Sequence, residues 1–319
     1  MKSVRRIVIA LLVFLLVGEA VVRFDQATWF FREDRMMELT NEAHETPLFR
    51  SVTEGTFQPQ AGELRVMVIG DSYLHGNHMQ DEGRFAVRLE RQLQAARPDR
   101  TVLVLDATIP GGNTCTNAAA FDEYRATFQP DVLVWGYNSD DPYGGCEDTT
   151  GAQPAPAPPP RSFVSTLRWL QAATYKVSAL LGYVAPTIAT ELEIRGVVLP
   201  GTHTHHQYTR SHAEDFPGWQ RSRLILDEVI GRCRRDGIRL VVLNCPNLAM
   251  LGNYGPLEDM DRRIGAYFRA QGVAYIRGVE LFEDRPDEDW AVSRYDGHPN
   301  GRAHEVLAAG VASLIIDSP

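Results

Sequence analysis

Short runs of apolar residues, each followed by a longer segment with helical periodicity, recur along most of the chain. The first run, at 65–69, contains four consecutive apolar residues, which is typical of a strand buried on both faces. Strands are predicted at 65–69, 101–105, 131–135, 238–243 and 273–276. Helices are predicted at 81–96, from about 115 to 128, and at 219–235, 257–270 and 300–316. This alternation predicts an α/β fold, a three-layer α/β/α sandwich around a parallel sheet.

The regular pattern begins late and is interrupted once. Five prolines fall within 151–160, which is typical of a linker or a stiff surface loop. A helical stretch follows at 162–182, and no clear period returns before about 218. We therefore predict one domain at 64–319 with an insertion or lid at about 146–218, preceded by a lead-in segment at 24–63. The lead-in segment is predicted to be a short helix followed by extended chain.

The amino terminus has the composition of an export signal. Lys2, Arg5 and Arg6 precede eleven unbroken apolar residues at 7–17, and two small residues, Gly18 and Ala20, follow two positions apart. This predicts a signal peptide at 1–23 that is cleaved after Ala20, or an uncleaved signal anchor in the inner membrane. A buried helix is the alternative, but it leaves the basic residues unexplained. Either export interpretation predicts an extracytoplasmic protein, periplasmic or secreted.

Composition limits the partners. The hydrophobic content of 44% and charged content of 23% are those of a globular protein with a substantial core. The net charge is -9, and no run of Lys and Arg is longer than two residues, so nucleic acid is not an expected partner.

A serine and a histidine stand where a nucleophile and its base could meet. Gly70, Asp71 and Ser72 follow the first strand directly, which places Ser72 at the carboxyl end of the predicted sheet. Asp296 and His298 precede the last helix, and a carboxylate there could orient the imidazole as a general base. Each segment taken alone is also an ordinary turn or helix cap.

An acyl-transfer site also needs hydrogen-bond donors for the oxyanion that develops. The loop after the second strand contains Gly111 and Gly112, either of which could supply a backbone N–H. Asn138, after the third strand, could supply its side-chain amide. The sequence does not distinguish the two glycines.

These segments occur in one order along the chain, and together they resemble the SGNH (GDSL-like) hydrolase superfamily. The four motif residues would be Ser72, Gly111, Asn138 and His298, and the similarity covers about 64–145 and 219–319. The resemblance implies a flavodoxin-like fold and hydrolysis or transfer of acyl esters without a metal or cofactor. It implies Ser72 as nucleophile, His298 as base, Asp296 as its orienting acid, and an oxyanion hole formed by the N–H groups of Ser72 and Gly111 and the amide of Asn138.

Two details depart from the family pattern. The family's Asn is usually followed by Asp, whereas here Ser139 follows Asn138 and the acidic residues come next. Asp296 stands two residues before His298, where many members have three. The first departure leaves open which neighbouring side chain orients Asn138. The second affects the geometry between Asp296 and His298 more than it affects activity.

Several other residues have two interpretations. Two groups of histidines could bind a metal: those at 203, 205 and 206, and the pair His75 and His78. No recognisable set of further ligands accompanies them. A contact with substrate or a solvated surface position is therefore favoured for these histidines. The aromatic residues Trp135, Tyr137 and Tyr143 could line a sugar or acyl pocket, or simply pack in the core.

The four cysteines fit an oxidising compartment. A bridge between Cys115 and Cys146 would clamp two predicted active-site loops, and Cys233 and Cys245 could form a second bridge or remain buried thiols. Three pairings are possible, and the sequence does not choose among them.

The leading hypothesis is an extracytoplasmic serine esterase that removes short acyl groups, such as acetyl, from a cell-envelope carbohydrate. The first alternative is an O-acyltransferase that delivers the acyl group from Ser72 to a polysaccharide hydroxyl, favoured if the lid excludes water. The second is a non-catalytic envelope binding or scaffold protein. Its partner would be an envelope component rather than a substrate, and the intact Ser72, Asp296 and His298 set argues against it.

Overall fold

The computed structural model describes residues 46–76, 79, 81–142, 210–284, 289–293 and 296–317, with isolated positions in 13–23 and 188–197. The predicted helix at 162–182, the proline-rich segment and the histidines at 203–206 lie outside the described residues. The predicted domain limits stay predictions.

A five-stranded sheet forms the centre of the described chain. Its strands are β1 (Leu64–Ile69), β2 (Val102–Asp106), β3 (Val132–Tyr137), β4 (Arg239–Asn244) and β5 (Ala274–Arg277). All neighbouring strands pair in parallel, in the order β2-β1-β3-β4-β5. The chain thus extends the sheet to one side of β1 and then returns to its other side, so the switch point of a flavodoxin-like sheet lies beside β1. The predicted α/β fold is confirmed.

Helices cover both faces of this sheet. The longer ones are α1 (Pro47–Thr53), α3 (Phe85–Ala96), α4 (Thr114–Phe128), α5 (Pro217–Asp236), α6 (Gly255–Ala270) and α7 (Gly301–Ile316), and a single-turn helix α2 covers Ser72–His75. The buried side chains divide into two clusters, because alternate strand residues point to opposite faces. Met67 lies in the cluster with α4, α5 and α6, and Val66 lies in the cluster with α3 and α7. Two apolar layers therefore hold the sheet rigid under the loops at its edge.

The lead-in segment differs from its prediction. Residues 47–53 form helix α1, and Val52 is buried in the core cluster of α4. Phe49 lies edge-on to Tyr124 at 5.6 Å between ring centroids. The prediction of extended chain here was wrong, because the apolar residues of this helix of about two turns gain more from packing on α4 than from exposure.

A small antiparallel ribbon carries the predicted acid and base. Strand β6 (Ala291–Ser293) pairs with β7 (Asp296–Pro299), and the chain enters α7 directly afterwards. A Cβ atom at Gly297 would overlap the side-chain amide of Asn247, so any other residue between Asp296 and His298 would require that side chain to move.

No helix among the described residues has both the length and the apolar character that crossing a membrane requires.

Candidate active site

Ser72 lies at the first residue of α2, just beyond the end of β1, the strand between β2 and β3. Gly70 has a φ of 156°, and a Cβ atom there would lie 3.0 Å from the Gly136 carbonyl oxygen of β3. The turn therefore requires glycine. The Asp71 side chain caps α2 by accepting a 2.9 Å hydrogen bond from the Tyr73 N–H, and Gly76 ends the helix in the left-handed conformation. These local constraints hold the Ser72 side chain at the edge of the sheet.

The structure brings Ser72, His298 and Asp296 into one hydrogen-bonded row. Ser72 Oγ lies 2.8 Å from His298 Nε2, and His298 Nδ1 lies 2.6 Å from Asp296 Oδ1. The His298 backbone N–H also donates to Asp296 Oδ1 at 3.0 Å. The two-residue spacing thus lets one carboxylate oxygen hold both the ring and the backbone of the histidine. With Nδ1 donating to the carboxylate, Nε2 is free to accept the Ser72 proton.

The pKa of His298 reflects two opposed effects. Burial disfavours the imidazolium, but the hydrogen bond and charge of Asp296, with smaller contributions from Asp71 and Asp140, outweigh burial and raise the pKa of His298 above its ordinary 6.5. The base is therefore stronger than a free imidazole, and the imidazolium that forms during proton transfer is stabilised in place.

The predicted oxyanion-hole residues follow the two strands that flank β1. The Ile109 N–H donates to the Gly70 carbonyl at 2.8 Å, which ties the loop after β2 to the Ser72 turn. Within that loop the Gly112 N–H donates to the Ile109 carbonyl at 2.7 Å and is thereby committed to the turn. Gly111, in the left-handed conformation with a φ of 69°, is thus the better candidate for the backbone donor.

Asn138 is held in a defined orientation. It is 4% exposed, and its Oδ1 accepts a 3.1 Å hydrogen bond from Ser139 Oγ. This places the donor nitrogen Nδ2 on the other side, where it makes no hydrogen bond of good geometry to any described residue. Nδ2 does lie close enough to the Asp71 carboxylate to lower the pKa of Asp71. A buried amide donor without a firm partner suits a site where negative charge develops.

We expect Asn138→Ala to lower kcat/KM for ester hydrolysis by about 10²- to 10³-fold, because one preorganised oxyanion donor is lost. Ser139→Ala should cause a smaller loss, because the amide remains but is less firmly oriented. Steady-state kinetics of the two variants with 4-nitrophenyl acetate measure both effects. Unchanged activity of Asn138→Ala would remove Asn138 from the oxyanion hole.

In the described part of the chain, one cluster of three acidic residues is tight enough to hold a metal ion. Oxygen atoms of Asp71, Asp140 and Asp141 all lie within 4.8 Å of one another. Burial, with the charge of Asp140, raises the pKa of Asp71 to about 7. Burial, with the charge of Asp71, also raises the pKa of Asp141 well above its usual range. Protonation can therefore relieve the repulsion near neutral pH, and we assign no metal to this group.

The remaining candidates divide clearly. Trp135 and Tyr137 are fully buried in the core cluster, so they pack the core and do not line a pocket. His75 is also fully buried, and its Nδ1 lies 3.0 Å from Thr108 Oγ1. His78 and Tyr143 lie outside the described residues.

The cysteines are of two kinds. Cys115 is disulfide-bonded, whereas Cys233 and Cys245 are free buried thiols, so no second bridge joins that pair. Burial raises the pKa of both thiols, that of Cys233 to about 12, which leaves them unreactive near neutral pH. Cys146 lies outside the described residues.

Two residues near the site were not singled out from the sequence. The Tyr73 ring packs against the His298 ring at 4.5 Å between centroids, and the fully buried His304 lies 3.0 Å from the Tyr73 carbonyl oxygen. The signal for His304 was present, since it interrupts the apolar face of the last helix, but such a histidine is usually only a packed core residue.

Gly136→Ala is expected to impair the site by displacing α2, the helix that carries Ser72. A Cβ atom at Gly136 would overlap the Leu74 side chain, which is buried on α2 two residues after Ser72. Leu74 must move, and we expect a cost of about 1–3 kcal/mol in unfolding free energy and a loss of roughly tenfold or more in kcat.

The matched control is Gly252→Ala, because a Cβ atom there meets nothing within 4 Å. Denaturant unfolding and ester kinetics compare the two variants. Equal behaviour of both would show that Leu74 accommodates the methyl group without moving α2.

Comparisons with known proteins find similarity among solved structures only. No family model and no curated protein sequence matches the chain. TesA has a TM-score of 0.46 at 13% identity, over 79% of this chain and 99% of its own. The esterase EstA from Pseudoalteromonas sp. has a TM-score of 0.45 at 9% identity, over 79% and 96%. A catalytic mutant of Axe2, an acetylxylan esterase from Geobacillus stearothermophilus, has a TM-score of 0.47 at 12% identity, over 80% and 95%.

These similarities concern overall fold and do not by themselves assign a function. The chain's own features are more specific: the strand order β2-β1-β3-β4-β5, Ser72 after β1, Asn138 after β3 and His298 before the last helix. The described chain thus has the α/β fold and the flavodoxin-like strand order that were predicted, and these three motif residues lie where the resemblance to SGNH hydrolases implied.

Proposed function

We propose that the protein is a serine ester hydrolase that acts outside the cytoplasm and removes short acyl groups, such as acetyl, from a cell-envelope carbohydrate. The ester chemistry is supported chiefly by one observation, the row of hydrogen bonds from Ser72 through His298 to Asp296 at 2.8 and 2.6 Å. A serine hydroxyl has little nucleophilic power until a base removes its proton, and this arrangement supplies both the base and the group that orients it.

The geometry supports an acyl-enzyme mechanism. Ser72 Oγ would attack the ester carbonyl carbon while its proton passes to His298 Nε2. The resulting oxyanion would accept hydrogen bonds from the N–H groups of Ser72 and Gly111 and from Asn138 Nδ2. Collapse of this intermediate breaks the bond to the alkoxide, which takes the proton from His298 and leaves. Water then attacks the acyl-enzyme, again giving its proton to His298, and the acid is released as Ser72 is restored.

The compartment and the substrate class rest on less direct support. The basic and then apolar amino terminus favours export, and the disulfide at Cys115 is of a kind that persists in oxidising compartments. An exported esterase meets acylated carbohydrate in the cell envelope. Acetyl is the acyl group that we propose.

The test uses the purified full-length protein and its Ser72→Ala variant. Both are incubated with an O-acetylated polysaccharide, and with 4-nitrophenyl esters of acetate, butyrate and octanoate. We expect release of free acetate from the polysaccharide, and rates that fall from acetate to octanoate, both dependent on Ser72. Acetate released equally by the Ser72→Ala variant would refute the proposal.

A sugar acceptor distinguishes hydrolysis from transfer. With an acyl donor and an unacetylated glycan present, mass spectrometry measures acetylated glycan against free acetate. A product that is mostly acetylated glycan would identify an O-acyltransferase. No product of either kind, with a folded protein, would favour the binding protein.

A further inference from the structure

The nucleophile helix α2 is too short to fix its own position. Ser72–His75 form a single turn, and a helix of this length has little intrinsic stability. Its geometry must therefore come from contacts with its surroundings. Both backbone polar groups of Tyr73 have a side-chain partner. The Tyr73 N–H donates to Asp71 Oδ1 at 2.9 Å, and the Tyr73 carbonyl oxygen lies 3.0 Å from His304 Nε2.

The His304 ring can make this contact only as a donor. A carbonyl oxygen has no proton to give, so the proton must lie on His304 Nε2. The imidazole is fully buried, and burial lowers the pKa of His304 to about 4, so the ring is neutral at the pH of ester hydrolysis. The edge contact with the Phe85 ring, at 6.4 Å and 88°, fixes the plane of the imidazole.

The residue that His304 holds is also the one that packs on the base. The Tyr73 and His298 ring centroids are 4.5 Å apart, with 34° between the planes. His298 in turn lies on the ribbon that leads into α7, the helix that carries His304, and Asn300 caps that helix between them. The base, the tether and the nucleophile therefore form a closed loop of contacts.

We propose that His304 is a positioning residue for the reaction of Ser72, one that acts through Tyr73. Its Nε2–H holds the Tyr73 carbonyl, and this keeps the Ser72 hydroxyl and the His298 ring within hydrogen-bond distance of each other. His304 is fully buried and does not touch the substrate, so it acts through geometry alone. The inference rests on the proposed function.

The experiment compares two full-length variants of similar side-chain length. His304→Gln keeps an N–H donor that can reach the carbonyl, whereas His304→Met removes it. Ester kinetics give kcat and KM. An alkyl fluorophosphonate measures the reactivity of Ser72 directly: Ser72 Oγ forms a bond to phosphorus, fluoride leaves, and the serine proton passes to His298.

We expect His304→Met to lower both kcat and the rate of phosphonylation by about 10- to 100-fold, because displacement of a reacting group by about 1 Å has effects of this size. KM should stay within about twofold of the wild type. His304→Gln should restore most of the rate. Thermal unfolding of both variants is measured alongside, and kinetics are run well below either midpoint.

The outcomes separate the two hypotheses. If wild-type Ser72 does not react with the fluorophosphonate, the proposed function fails, and this inference fails with it. If the wild type reacts and His304→Met reacts equally fast, this inference alone is overturned. It is also overturned if His304→Gln and His304→Met show the same reduction in rate and the reduction follows their loss of thermal stability. If His304→Met does not fold, His304→Leu, which also lacks an N–H donor in its side chain, replaces it. That variant should lower kcat without raising KM, and an unchanged kcat would overturn the inference.

Discussion

Ser72→Ala is expected to lower kcat/KM for 4-nitrophenyl acetate by about four orders of magnitude. The Ser72 hydroxyl lies 2.8 Å from His298 Nε2, and its loss would remove the nucleophile of the proposed acyl-enzyme route. His298→Ala should cause a loss of similar size, because an unactivated serine is nearly as ineffective as none. Residual activity would come from the oxyanion hole and substrate binding alone.

The double variant gives the sharper result. If Ser72 and His298 act as one unit, the two substitutions together should cost no more than either alone. Multiplied losses would instead show that the two residues act independently. Ser313→Ala is the matched control, because Ser313 lies on the exposed face of α7 and bonds only to Asp317 among the described residues, and it should leave the rate unchanged.

The sequence predicted the sheet well because its strands are buried on both faces. Each strand of a covered parallel sheet is a nearly continuous apolar run, and such runs end where the chain meets polar loops. The observed strands begin or end within two residues of the predicted positions. The ribbon of β6 and β7 was not predicted, because strands of three and four residues with mixed polarity carry no recognisable period.

The candidate site was predictable in its residue types but not in its orientation. Nothing in the sequence shows how the Asn138 amide is oriented, and in the structure Oδ1 accepts a hydrogen bond from the Ser139 hydroxyl, which leaves Nδ2 as the proposed oxyanion donor. Ser139, which departs from the family pattern, therefore itself orients the Asn138 amide. Likewise, the sequence does not show whether Gly111 or Gly112 has a free backbone donor. The structure favours Gly111, because the Gly112 N–H is used in the turn hydrogen bond.

The electrostatics of the site could not have been read from charge counts. If all three were ionised, Asp71, Asp140 and Asp141 would place three negative charges beside the proposed oxyanion hole. At about 5 Å and an effective dielectric constant near 20, each ionised pair costs on the order of 3 kcal/mol. Burial raises the pKa of Asp71 and Asp141, and so the cost is reduced by protonation. This outcome depends on burial and distance, which only the folded chain defines.

Asp296→Asn is expected to lower kcat by about 10³- to 10⁴-fold while leaving the fold intact. The asparagine can still accept the His298 N–H through Oδ1, so the ribbon should keep its shape. It cannot offer a charged acceptor to Nδ1, so the protonated imidazole that forms during the reaction loses its stabilisation. Asp99→Asn, at an exposed position, is the matched control and should have no effect.

The pH dependence of this variant distinguishes an electrostatic role from a structural one. Only neutral His298 can accept the serine proton, so wild-type kcat/KM should rise with pH through a pKa above 6.5. Burial alone would lower that pKa, and the hydrogen bond and charge of Asp296 are the main effects that raise it. Removing the carboxylate should therefore move the rising limb of the residual activity to lower pH. A loss of rate with the limb unmoved would mean that Asp296 serves the ribbon and not the base.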